Sequence, residues 1–77
     1  MHHRHFDLQF SGHSDVLLRV VSLLRRRGCE IRSLSFSAGD PHRAGRLEVT
    51  LDVRDRQATA LPAWLANLVE ITSVTER

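Results

Sequence analysis

The chain has no lysine, only one cysteine and no long apolar run, and each shortage removes a class of function. All 11 basic residues are arginine, a compositional bias that carries no functional weight. Net charge is only +2, so the high isoelectric point reflects arginine's high pKa and not a strong positive field. Nucleic-acid binders present a basic stripe along one face. The one dense run here, Arg25, Arg26 and Arg27, closes a predicted helix, where cations suit the macrodipole. Cys29 alone cannot build an internal disulfide or a CxxC metal or redox site. It reads as a small apolar strand residue, and a reducing cytoplasm is the expected location. No stretch reaches the roughly 18 apolar residues a membrane span requires, and the N-terminus lacks a secretory apolar region. Neither nucleic acid nor membrane is an expected partner.

There is also no linker, internal repeat or low-complexity tract. Seventy-seven residues make one domain, and a domain of this size buries only about 60% of the surface its unfolded chain exposes. Pairing with a copy or a partner would add to its stability.

The periodicities then place six elements. Phe6, Leu8 and Phe10 alternate with Asp7 and Gln9, the period of a half-buried strand. The biased start, His2, His3 and His5, reads as a frayed strand end rather than a metal site. Ser14 suits an N-cap and Asp15 a first helical turn. Leu17, Val20, Val21 and Leu24 form one helix face, widened by Val16 and Leu23, and Gly28 fits a left-handed C-cap. Residues 29–38 read as a second strand. Ile31 has one parity while Leu34 and Phe36 have the other, so a bulge is expected near Ser33. Residues 39–45 form a polar turn. Leu47, Val49, Leu51 and Val53 alternate with Glu48, Thr50 and Asp52, the clearest strand of the chain. Ala58, Leu61, Leu65 and Leu68 suggest a second helix that either kinks at Pro62 or begins near it. Trp64 reads as core or interface packing, and residues 71–75 as a last strand.

Strand, helix, strand, strand, helix, strand is the split βαβ order. The expected class is α+β, ferredoxin-like, with sheet order 4-1-3-2 and both helices on one face. The other face, with Asp7, Gln9, Glu48, Thr50 and Asp52, is expected to be open, acidic and free of aromatics. That argues against stacking of RNA bases. The first turn holds neither the CxxC of metallochaperones nor the arginine of acylphosphatase-like enzymes. No nucleophile, base and orienting group share catalytic spacing, and capping accounts for Ser14 and Asp15 better than a His13-Ser14-Asp15 triad does. No catalytic residue and no metal ligand is assigned.

The run VLLRVVSLLRRRGCEIRSLSFS, with RLEVTLDV and a final LANLVEITSV, resembles the ACT domain of the acetohydroxyacid synthase (acetolactate synthase) small subunit, in its short single-domain form. Val16, Leu17, Arg19, Val20, Arg26, Arg27, Gly28, Ile31, Ser33 and Leu34 match the first part of that family's pattern. Leu65, Leu68, Val69, Ile71 and Val74 match the last. The RRGxxIxSL piece is moderately specific and the remainder is mostly core pattern. The resemblance covers nearly the whole chain and implies a single ACT-like domain over residues 1–77. It implies a regulatory subunit without chemistry of its own, which binds and activates a thiamine-diphosphate-dependent catalytic subunit in branched-chain amino acid biosynthesis. This chain would bind no cofactor; thiamine diphosphate, Mg and FAD would belong to the catalytic subunit. It further implies a homodimer through the second strand, with Ile31, Ser33, Leu34, Ser35 and Phe36 at the interface. The effector would sit near the turn after the first strand, at Gly12, His13, Ser14, Asp15 and Val16, with Glu30.

That site departs from the valine-sensitive pattern. Gly12, His13, Ser14 and Asp15 replace an Asn-Arg-Pro-Gly-like turn, and Glu30 replaces a frequent asparagine. Asp15 would stand where an amino acid's carboxylate binds, and Glu30 would add to the repulsion if it faced the same site. Weak or absent valine feedback is expected. A stand-alone ACT-type sensor, for an amino acid or a cationic molecule suited to Asp15 and Glu30, is the alternative.

Overall fold

A computed structural model describes residues 2–11, 15–40, 42–54 and 60–77. Six elements follow in the order β1 His2–Phe10, α1 Asp15–Arg26, β2 Glu30–Ser37, β3 Gly45–Val53, α2 Leu61–Ala66 and β4 Ile71–Glu76. The strands form one sheet in the order β2-β3-β1-β4, and every pairing is antiparallel. This is the expected ferredoxin-like order, with two helices over one face.

The period-two residues of the central strands make the core floor. Phe6, Leu8, Phe10, Leu47, Val49, Leu51 and Val53 are all buried. Val16, Val20 and Leu24 of α1, with Leu61 and Leu65 of α2, cover them. The α1 stripe is rotated from the expected one. Val16 lies at its centre, whereas Leu17 and Leu23 only flank the core and Val21 is half-buried. Spacing at i, i+4 and i+8 thus won over i, i+3 and i+4, because the helix meets the sheet along a single ridge.

The end of α1 follows from Gly28, which takes a φ of 75°. Its N–H donates to Arg25 O, and the Cys29 N–H donates to Leu24 O. The pair is a Schellman cap, and only glycine adopts that φ without strain. Cys29 is buried immediately beyond it. In β2 the pairing shifts between Ile31 and Ser33. Arg32 is the extra residue, so the expected bulge is present. It lets Ile31, Leu34 and Phe36 share a face opposite Leu51, Val49 and Leu47. Phe36 stacks on Phe10 with ring centroids 5.4 Å apart. Gly45 stands opposite Phe10, and a Cβ there would overlap the Phe10 ring. Glycine therefore lets that ring lie across the β3 backbone.

The choice left open at Pro62 is settled as a helix start. Proline occupies the first turn of α2, where no intrahelical N–H bond is lost. The helix stops at Ala66, so Leu68 packs on the core from outside it; Ala58 lies outside the described residues. Arg27 spreads over the Trp64 ring at 4.5 Å, tying the end of α1 to α2.

Two expectations need correction. The histidine-rich start is not frayed: His2 to Phe10 pair in continuous register with Val53 to Gly45. β3 is long enough to supply partners that a reading of β1's own apolar residues does not reveal. Nor is the open face simply acidic or its carboxylates all exposed. Asp52 is buried there, and arginines from β2, β3 and the C-terminus lie against its carboxylates.

Candidate functional site

Three regions carry the expected sites. The first is the start of α1. Gly12, His13 and Ser14 lie outside the described residues; Asp15 opens α1 and is exposed, while Val16 is buried in the core. Ser11 N–H donates to Glu70 O, and the Glu70 carboxylate takes Arg19 of α1. The residue before β4 therefore ties the residue after β1 to α1.

Glu30 is at the other end. It stands opposite Asp52, which stands opposite His3, whereas Asp15 follows the Phe10 end of β1. The 12 residues of α1 separate Asp15 from Glu30 by about 18 Å along the helix axis. Within one chain they do not form a joint site. Sequence alone gave no distance between a helix start and the strand after its end.

The second region is the β2 edge. Ile31 and Phe36 are half-buried against the core, while Ser33, Leu34 and Ser35 are exposed. β2 has β3 on one side only, which leaves backbone donors and acceptors facing outward along the other. The helix layer adds an open groove of about 280 Å³ between Leu18, Arg19, Ser22, Arg26 and Leu68. Leu18 is largely exposed beside it.

The third region, missed in the sequence reading as a unit, is the open face of β1 and β3. Register brings His3 beside Asp52, His5 beside Thr50 and Asp7 beside Glu48. His3 Nδ1 lies 2.5 Å from Asp52 Oδ1, out of line for a hydrogen bond, and Arg32 Nε is 3.4 Å from Asp52 Oδ2. His5 Nδ1 and Thr50 Oγ1 are 2.8 Å apart. Asp7 is taken by Arg77, with Arg46 at 3.5 Å. The signal was present as alternation in both strands, but cross-strand register is not readable from one strand's pattern.

Among the described residues, Arg4, Cys29 and Glu76 are displaced in their acid-base behaviour. Burial pushes the Cys29 thiol up, which keeps it protonated and a poor nucleophile. The Arg4 guanidinium, hydrogen-bonded to Glu76, holds that carboxyl below its ordinary range. Among the described residues no helix is long and apolar enough to cross a membrane.

No family model matches the chain, and no curated protein matches it by sequence. Solved structures do match in three dimensions, and they define its class: the chain has the ACT-domain fold. An acetolactate synthase small subunit from Thermotoga maritima superposes with a TM-score of 0.81 over 99% of this chain at 21% identity. This chain spans about half of that subunit, 47% of its length. The ACT domain of a GTP pyrophosphokinase from Chlorobium tepidum superposes at 0.80 with 10% identity, covering 97% of this chain and 96% of that one. A homoserine dehydrogenase from Thiobacillus denitrificans matches at 0.69 and 13% identity, over 97% of this chain and 17% of its own. Identities this low establish the fold. They leave function to the residues.

Proposed function

We propose that the chain is a non-catalytic regulatory subunit of acetohydroxyacid synthase. It binds the thiamine-diphosphate-dependent catalytic subunit of branched-chain amino acid biosynthesis and raises its activity. The observation that carries this reading is the RRGCEIRSL run, which ends α1 in a Schellman cap and feeds directly into the edge strand β2. That is the segment through which subunits of the resembled family pair. Fold similarity to the Thermotoga small subunit over nearly the whole chain supports it.

In this reading two copies pair β2 to β2 into a continuous sheet. A symmetric antiparallel pairing centred between Ser33 and Leu34 sets Glu30 of one copy opposite Ser37 of the other. Ser37 stands opposite Arg46, and Arg46 opposite Gln9, which is the Asp15 end of the sheet. Asp15 and Glu30, far apart within one chain, then approach one effector turn from two copies. Two carboxylates there repel the carboxylate of an amino acid, so valine feedback is weak or absent. Immobilised chain should retain the catalytic subunit from the same organism; failure to retain it removes the reading. Calorimetry with valine should give no micromolar binding, and micromolar binding contradicts the repulsion argument.

A stand-alone ACT-type sensor is the second reading. It is favoured by the equally good fit of an ACT domain from a protein of another kind. A sensor would bind a small molecule at the effector turn and purify without the catalytic subunit.

A further inference from the structure

Independently of that reading, we propose that His5, Asp7 and Glu48 form a binding site for a transition-metal dication of the Zn²⁺ type on the open face of the sheet. One ligand atom from each residue lies within 4.8 Å of the others. Tetrahedral ligands at 2.0–2.2 Å from an ion stand about 3.4 Å apart, so closing on a common ion needs a contraction of up to about 1.4 Å. Glu48, whose side chain is 38% exposed, has the freedom to supply it. The residues come from β1 and β3, the two central strands, whose paired backbones fix the ligand spacing.

Two atoms of this trio are buried without a hydrogen-bond partner, His5 Nε2 and Asp7 Oδ1. Unpartnered buried polar atoms are costly and call for a compensating group. His5 is oriented as a metal-ligating histidine is. Its Nδ1 meets the Thr50 hydroxyl at 2.8 Å, and donation from Nδ1–H leaves the Nε2 lone pair free to coordinate. On Asp7, Arg46 and Arg77 contact Oδ2 and leave Oδ1 open. Both arginines also stand 3.8 Å from Glu48 Oε1. They neutralise the two carboxylates in the metal-free protein. Their side chains are more than half exposed, so they can swing outward when a dication arrives. One imidazole with two carboxylates suits Zn²⁺, Mn²⁺, Fe²⁺, Co²⁺ or Ni²⁺ better than Ca²⁺ or Mg²⁺, which prefer oxygen alone. Three protein ligands on an exposed face leave a coordination position for water or for a carboxylate brought by a ligand or partner.

The test is calorimetry of the untagged full chain with Zn²⁺, backed by the visible spectrum of Co²⁺. One equivalent should bind. His5→Gln and Glu48→Gln should each weaken binding at least about tenfold, and Thr50→Val, which removes only the orienting hydroxyl, by about tenfold. His3→Gln should leave affinity within about twofold of wild type. Circular dichroism of each variant establishes that it is folded, and Glu48→Gln on the surface serves if His5→Gln is not. Absence of saturable binding by wild type overturns the proposal. So does binding that survives His5→Gln and Glu48→Gln but is lost with His3→Gln, which would assign the metal to the N-terminal histidines.

Discussion

The two faces of the sheet share four strands and almost nothing else. On the helix-covered face, every inward residue of the central β3 strand is apolar and buried. That face is a core, and its chemistry is burial. On the open face the same strands carry histidines, carboxylates and arginines in cross-strand pairs. One face was shaped by volume. The other was shaped by charge and ligand geometry, and its unpartnered atoms have no role in packing. Stability and specific chemistry are therefore separated by the thickness of one strand.

The largest test exchanges the two kinds of environment at neighbouring positions. Leu51→Asp should abolish cooperative unfolding by circular dichroism, because an unpaired buried charge exceeds the stability of a small domain. Asp52→Leu, one residue along on the open face, should leave the melting temperature near wild type or raise it. Its partners His3 and Arg32 are mostly exposed and can return to water, and apolar replacement of buried ionic groups is often neutral or stabilising. If both variants unfold alike, the faces are not separable. A smaller effect is expected at Gly45, where the ring of Phe10 occupies the space of a Cβ. Gly45→Ala should cost about 1–3 kcal/mol in denaturant unfolding, whereas Gln9→Ala, exposed on the neighbouring strand, should stay within about 0.5 kcal/mol.

The smallest effect concerns pH. Arg4 holds the folded-state pKa of Glu76 below its unfolded value. The stabilisation is therefore present above the ordinary carboxylate pKa of about 4.3 and is lost as pH falls through the folded value. Glu76→Gln should remove that part of the acid limb and change stability at neutral pH by no more than about 1 kcal/mol, since the pair is solvent-screened. An unchanged acid limb would show that the pair contributes nothing.

The difference between the faces also explains what could be read in advance. The βαββαβ element order gave the strand order, apolar alternation in β1 and β3 gave the core, and the parity conflict between Ile31 and Leu34 required the bulge found at Arg32. The core and the bulge follow from burying apolar residues on one side. The extension of β1 back to His2 has no apolar signature, so it was not legible, and with it went the burial of Asp52 beneath His3. The His5, Asp7 and Glu48 cluster needs the β1–β3 register, which neither strand states alone. The expected effector turn rested only on resemblance, and Gly12, His13 and Ser14 lie outside the described residues. The separation of Asp15 from Glu30 is a matter of helix length and strand direction, visible once both were placed.

The most direct measurement is acetolactate formation by the catalytic subunit from the same organism at fixed concentration, titrated with this chain. A saturable increase in rate, insensitive to valine, is the predicted result. No increase at saturating chain would contradict the account.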